Sequence, residues 1–395
     1  AAKEAERLGL SFGVHNCDGW SSSGGPWVTP EISMKMVVWS ETVVSGGEVN
    51  VQLEKPTARH DYYEDITVIA YPALASDRED HSLRPTLSAS DPDFDLALAA
   101  DGKTDAMDHL GPDANGETWL QFTYAEPRTL RSAEAVFTDR HATVELLASD
   151  DGRQFRKVQD IYKVRTAKSE WAVNDHFPAV TARHFRLRFN QGITLKEATL
   201  SSTYRLHNRM GRTALGRTED RRLTPIGDPA PEMIVNSWEI RDLTNKMTDD
   251  GLLIAELPAI EWTILRFGQT TTGATNHPAS AEGKGLEVDK LSREAFKVHY
   301  DAFVGEVVAR NESVAPNALQ YAEIDSYEMG GQNWTDGFAE SFAEAKGYNI
   351  MEFLPLLAGR FVDNTATSEE VLRDFRGHIC DLMTENYFTY FTELC

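Results

Sequence analysis

The sequence predicts a chain that is α/β at both ends and all-β between them: a (β/α) barrel, present in part, interrupted by an inserted antiparallel β-sandwich. Three observations carry this. Residues 1–42 run helix, strand, polar loop. From Met34 to Leu257, segments alternating apolar and polar residues succeed one another across glycine and proline turns, and no helical period appears. After residue 259 strands and amphipathic helices alternate again.

The elements are taken in order. Residues 1–42 are the first barrel piece. Ala1 to Arg7 reads as the tail of a helix stopped at Gly9, since glycine takes the left-handed conformation at little cost. Residues 10–14 read as a buried strand. It runs into His15, Asn16, Cys17, Asp18, Gly19 and Trp20, and the loop continues to Trp27. A polar, aromatic loop beyond a strand end is where a barrel places ligand contacts. Tryptophan suits sugars because its flat face packs on C–H patches, although core or lid packing explains Trp20 and Trp27 equally well. Residues 43–83 continue a β region begun near Met34, with strands near 34–41, 48–53 and 66–71. Residues 84–205 read as one sandwich of short strands at 119–124, 132–137, 143–148, 184–189 and 195–200. Residues 206–258 read as a polar connector followed by further β structure.

Residues 259–395 resume the barrel. A strand at 261–268 ends in the polar run Gln269 to His277. Ser292 caps a helix whose stripe is Phe296, Tyr300, Phe303 and Val307. The strand at 318–325 opens into an acidic turn holding Asp325 and Glu328, then Gln332, Asn333 and Trp334. Thr335 and Asp336 are expected to cap a helix through Phe338 and Phe342. Thr367 with Glu370 forms a capping box for a long helix with the stripe Leu372, Phe375, Ile379, Leu382 and Phe388.

The 395 residues carry 39 Lys+Arg and 62 Asp+Glu, a formal charge of −23. That disfavours nucleic acid and anionic membranes. It suits a neutral partner such as a sugar, and solubility alone also explains it. No run approaches the roughly 18 apolar residues of a membrane span. Cys17, Cys380 and Cys395 show neither a zinc spacing nor a disulfide framework. Both ends read as cut, so the chain is expected to be a fragment of a longer protein.

No phosphate loop, dinucleotide fingerprint, nucleophile elbow or zinc-protease helix is present. What remains is carboxylates, amides, histidines and tryptophans on loops after strands. Glycoside hydrolysis uses that inventory: a protonated acid at the leaving oxygen and a second carboxylate. Asp325 and Glu328 are the candidates for the acid, although such a carboxylate also serves as a metal or sugar ligand or a structural ion pair. Glu287 and Asp289 form a second acidic cluster. It suits calcium or the solvated start of a helix. His15, Asn16 and His277 are candidate donors to sugar hydroxyls.

Two resemblances extend this reading. The sandwich is similar to discoidin-like (coagulation factor type C) jelly-roll modules through Asp101, Gly102 and Thr104, the Trp119-Leu120-Gln121 strand, and the Ser149-Asp150-Asp151-Gly152 turn with Phe155. In that family the first Asp-Gly loop can hold a structural calcium, but the tryptophan that usually follows the Thr is missing here. The rest resembles glycoside hydrolase family 106, the α-L-rhamnosidases. The blocks are His15-Asn16, Gly19-Trp20-Ser21, Gly24-Gly25-Pro26-Trp27, Pro30-Glu31, Ser33-Met34-Lys35, Trp39-Ser40-Glu41, Leu286 to Ser292, and Asp325-Ser326-Tyr327-Glu328. This implies a (β/α)8 barrel interrupted by β domains, inverting hydrolysis of terminal α-L-rhamnose from polysaccharides or glycosides, and a calcium ion that engages the sugar. It implies that the acid is one of the pair Asp325 and Glu328, Glu328 first and Asp325 the close alternative. The general base would come from a later strand beyond this chain, which leaves the isolated fragment inactive. A periplasmic or secreted protein is expected. The alternatives are a non-catalytic carbohydrate-binding protein and a barrel glycosidase of another sugar specificity.

Overall fold

Strand β1 (Phe12–His15) starts a polar edge of the molecule, and β2 (Lys35–Gln52) and β3 (Glu64–Pro72) leave it. The computed structural model describes residues 1–82, 84–102, 104, 106–161, 163–167, 170–216, 229–312, 315–325 and 329–395. Next come β4 (Thr86–Ala89), β5 (Asp108–Leu110), β6 (Thr118–Phe137), β7 (Val144–Ser149), β8 (Arg156–Ile161), β9 (Lys163–Ala167), β10 (Glu170–Phe189) and β11 (Ile193–Ser201). These eight form one antiparallel sheet, ordered β5-β11-β6-β10-β7-β8, with β4 on β6 and β9 on β10. The reading of strands at 119–124 and 132–137 finds two halves of β6. They are joined through an exposed stretch containing Pro127, which lacks the N–H a ladder needs. Leu120, Phe122, Leu130, Phe137, Leu146, Phe185 and Leu187 fill this sheet's core. Asp151 Oδ1 accepts from the backbone N–H groups of Arg153 and Gln154, and Gly152 takes φ 70°, so the Asp-Gly turn joins β7 to β8 as its sequence requires.

β12 (Ile234–Val235), β13 (Arg241–Asp242), β14 (Leu252–Thr271), β15 (Leu319–Glu323) and β16 (Phe361–Val362) complete the strands. A four-stranded sheet has the order β13-β3-β14-β2, with Lys35 opposite Thr271 and Gln52 opposite Leu252. β1 pairs with β15, and β12 with β16, both in parallel. Parallel neighbours need a long crossover, and here the β1–β15 crossover contains both larger sheets. Among the described residues these strands do not close into a barrel.

The helices differ from expectation at their caps and in register. Asn364, three residues before Thr367, caps the Thr365–Met383 helix by accepting from Thr367 N at 2.9 Å. Gly337, in the left-handed conformation, precedes the Phe338–Lys346 helix in place of a Thr335–Asp336 cap. Ser292 caps the Arg293–Tyr300 helix as read, accepting from Ala295 N. The expected stripe continues through Phe296 and Tyr300, but Val304 is fully buried in the place expected for Phe303, which is only partly buried. A π-helical turn at Asp301–Gly305 inserts one residue and rotates the helical turn after it. A second π segment, Thr384–Thr389, does the same, so Tyr387 is buried and Phe388 exposed. The polar connector is also not solvated at its start: Leu206, His207, Asn208, Arg209, Arg212 and Leu215 are all buried. Residues 217–228 of it lie outside the described residues.

Candidate active site

Because β1 and β15 are parallel and end level, the chain leaves both at the same edge. His15 lies opposite Glu323, and Asn16 N donates to Glu323 O at 3.0 Å. Two residues further on, Asp325 returns to the first strand. His15 Nε2 stands 3.2 Å from Asp325 Oδ1, with the Asp325 side chain 54% exposed and that of His15 22% exposed. The other ring nitrogen, Nδ1, lies 3.8 Å from Cys17 Sγ. Burial pushes the Cys17 thiol up from its ordinary value, away from the thiolate form.

A chain of contacts then leads to His277. Cys17 Sγ is 3.7 Å from Ser21 Oγ, which accepts from His277 N at 3.2 Å. Trp20 N donates to His277 O, and the two rings meet edge-on at 6.4 Å. Trp20 is 57% exposed. Gly19 makes this approach possible: at φ 105° a Cβ would sit 2.1 Å from Pro278 O. Buried Cys17 and Ser21 thus connect the His15–Asp325 contact to the Trp20–His277 contact.

Asn16 and Trp27, read from sequence as sugar contacts, instead belong to a buried floor with His299, which sequence reading missed. Asn16 is fully buried, and its Nδ2 donates to Ser22 O at 2.8 Å. Its backbone carbonyl accepts from His299 Nε2 at 2.7 Å, while Trp27 Nε1 donates to His299 Nδ1 at 3.1 Å. An indole N–H only donates, so Nδ1 is the acceptor and Nε2 carries the hydrogen. Burial lowers the His299 pKa to about 4, so the ring is neutral. Tyr387 Oη donates to Ser22 O at 2.6 Å, fixing the same loop from the C-terminal helix. The one signal for His299 was its place on the buried face of an amphipathic helix.

Several residues expected to touch ligand are occupied by structure instead. Trp27 stacks on Phe303. Gln332 Nε2 donates to Asp289 Oδ1 at 2.6 Å, and its Oε1 accepts from Lys290 N. Asn333 bridges Val37 N and Thr213 O. Trp334 packs on Phe338 in the core. All three of Gln332, Asn333 and Trp334 are buried, so they brace the loop and have no free surface for a sugar.

Glu287 and Asp289 are likewise buried, against Lys290 and Lys35. Asp289 accepts from Lys35 Nζ, Leu291 N, Gln332 Nε2 and Thr335 Oγ1, which fills both its oxygens. Glu287 Oε2 accepts from Ser23 Oγ and from Lys290 Nζ at 2.8 Å, and among the described residues Oε1 has no partner. One open oxygen on a carboxylate already paired with Lys290 does not fit calcium, which takes six to eight oxygens. Among the described residues no group of three or more His, Cys, Asp and Glu is placed to hold a metal. Glu328 lies outside the described residues.

The comparisons agree with one another on hydrolases. The profile of glycoside hydrolase family 106, described as alpha-L-rhamnosidase, matches residues 1–395. A solved rhamnosidase from Novosphingobium sp. PP1Y superposes with a TM-score of 0.76 at 27% identity, over 100% of this chain and 39% of that one. A Formosa agariphila protein provisionally named a beta-glucuronidase is 28% identical over 396 residues, covering 100% of this chain and 23% of that protein. The chain thus spans well under half the length of either relative.

Proposed function

The chain belongs to the glycoside hydrolase 106 (alpha-L-rhamnosidase) family, and from that premise we propose that it is part of an enzyme that removes terminal α-L-rhamnose from polysaccharides or glycosides with inversion. The supporting observation is the contact of His15 with Asp325 at the shared end of β1 and β15, where the loop that carries the exposed ring of Trp20 begins. In this proposal a carboxylic acid of the acidic turn, Glu328 or else Asp325, donates its proton to the glycosidic oxygen as the C–O bond breaks. A carboxylate from beyond this chain takes a proton from the water that attacks the opposite face. The two carboxyls of an inverting pair stand roughly 6.5–9.5 Å apart. His15 orients Asp325, and Trp20 packs on the C–H face of the sugar.

The same proposal takes β1 and β15 as strands of a (β/α)8 barrel completed outside this chain, and the eight-stranded sheet as a discoidin-like insertion. It assigns the protein to the periplasm or the cell exterior. A calcium ion that engages sugar hydroxyls belongs to it only with ligands other than Glu287 and Asp289. The name of the Formosa relative favours a second reading, a glucuronide substrate. Turnover of nitrophenyl α-L-rhamnoside and β-D-glucuronide by the full-length protein, with and without chelator, separates the readings.

A further inference from the structure

Past His15 the β1–β15 ladder ends, since His15 opposite Glu323 is its last pair. The next peptide groups need other partners. Asn16 N still reaches Glu323 O at 3.0 Å. Asn16 O turns instead to His299 Nε2 at 2.7 Å. Asn16 and His299 are both fully buried, so a carbonyl deprived of this donor has no bulk water to replace it. That carbonyl belongs to the peptide joining Asn16 to Cys17. His15 precedes the peptide in the chain, and its Nδ1 lies 3.8 Å from the Sγ of Cys17, which follows it. A rotation of this one peptide group therefore disturbs His15 twice, through the backbone and through the Cys17 contact.

The His15–Asp325 contact does not hold itself. It is 3.2 Å long, and the Asp325 side chain is 54% exposed. Contacts this exposed contribute little and do not set a backbone. The backbone is set from below. His299 stands on the Arg293–Tyr300 helix, and Trp27 Nε1 donates to its Nδ1 at 3.1 Å. With Nδ1 occupied by a donor, the ring's hydrogen is held on Nε2, where Asn16 O receives it. Burial keeps the ring neutral, so both bonds persist.

We propose that His299 is a positioning residue for the rhamnosidase site: its Nε2–H fixes the Asn16 carbonyl and thereby holds His15 against Asp325, while Trp27 fixes its tautomer. His299 touches no substrate and acts only through the chain beside His15. The kinetic consequence rests on the rhamnosidase reading; the geometric one does not depend on which bond is cleaved. A displacement of about 1 Å at a reacting group can cost roughly 100-fold in rate.

Two substitutions in the full-length protein divide the two bonds of the ring. In His299→Gln the amide nitrogen reaches the place of Nε2 and still donates to Asn16 O, while Trp27 Nε1 loses its acceptor. In His299→Asn the amide oxygen takes the place of Nδ1 and still accepts from Trp27, while Asn16 O loses its donor. Each variant gives up one buried hydrogen bond, so a purely structural role lowers Tm and kcat alike in both. Positioning separates them. Crystal structures should keep the His15–Asp325 contact in His299→Gln and lose it in His299→Asn. For an α-L-rhamnoside with an unactivated leaving group, kcat should fall about tenfold or more in His299→Asn, with KM changed by less than about threefold. In His299→Gln kcat should stay within about threefold of the parent. An intact contact or parent-level kcat in His299→Asn overturns the proposal, as does an equal loss in both variants. Should His299→Asn not fold, His299→Gln decides alone: a retained contact supports the proposal and a lost one overturns it. Should the parent turn over no α-L-rhamnoside, the rhamnosidase reading fails, and the two crystal structures still decide this inference.

Discussion

His15 and Asp325 are 310 positions apart in the chain and 3.2 Å apart in space. The parallel pairing of β1 with β15 produces this contact, because parallel strands in register deliver their next residues to the same edge. Everything between them, including both large sheets, is one excursion from that edge. The pairing therefore brings Asp325 to the histidine that ends β1.

The exposed and buried tryptophans should respond differently. Trp20→Ala in the full-length protein should leave stability within about 0.5 kcal/mol, as surface changes do. It should raise KM by roughly 2- to 12-fold, the equivalent of an aromatic contact of about 0.5–1.5 kcal/mol. Trp334→Ala, in the core against Phe338, should instead cost about 3–5 kcal/mol of stability. Thermal melts and steady-state kinetics on both variants check this. An unchanged KM in Trp20→Ala would remove Trp20 from the substrate site.

His299 gives stability a pH dependence. Its folded pKa is about 4, against 6.5 for the unexceptional ring. Between those values the unfolded chain binds the extra proton, so stability falls as pH is lowered through that window. The loss reaches at most about 3 kcal/mol. His299→Asn has no ring to titrate, and urea melts at pH 7 and pH 4.5 should show a smaller pH difference than in the parent protein.

Lys290 and Glu287 are both fully buried, and their 2.8 Å pair compensates each charge. Lys290→Met leaves the carboxylate uncompensated and should cost about 3–5 kcal/mol. The double variant Lys290→Met/Glu287→Gln should recover much of that loss in a urea denaturation midpoint. If the double variant is no better than the single one, the lysine acts through its packing rather than its charge.

The element sequence was legible because alternation and helical stripes are local. Phe296, Tyr300, Leu372, Phe375 and Ile379 are buried as their spacing requires. The two π turns were not legible, since one inserted residue changes no local pattern but moves full burial from Phe303 to Val304 and onto Tyr387. In the site, His15 and Asp325 were found as polar residues past strand ends. Gln332, Asn333, Glu287 and Asp289 carry the same chemistry at similar positions. Only their partners, Lys35 and Lys290 among them, reveal that they brace the site from below. Sequence gives residue types at a turn; which of them face solvent is decided by tertiary pairing.

The most direct test of the account is turnover of an α-L-rhamnoside with an unactivated leaving group by full-length Asp325→Asn and Glu328→Gln. A general acid contributes about 10²- to 10⁴-fold, so kcat/KM should fall by that amount in at least one variant, with folding and sugar binding retained. Parent-level kcat/KM in both variants would contradict it.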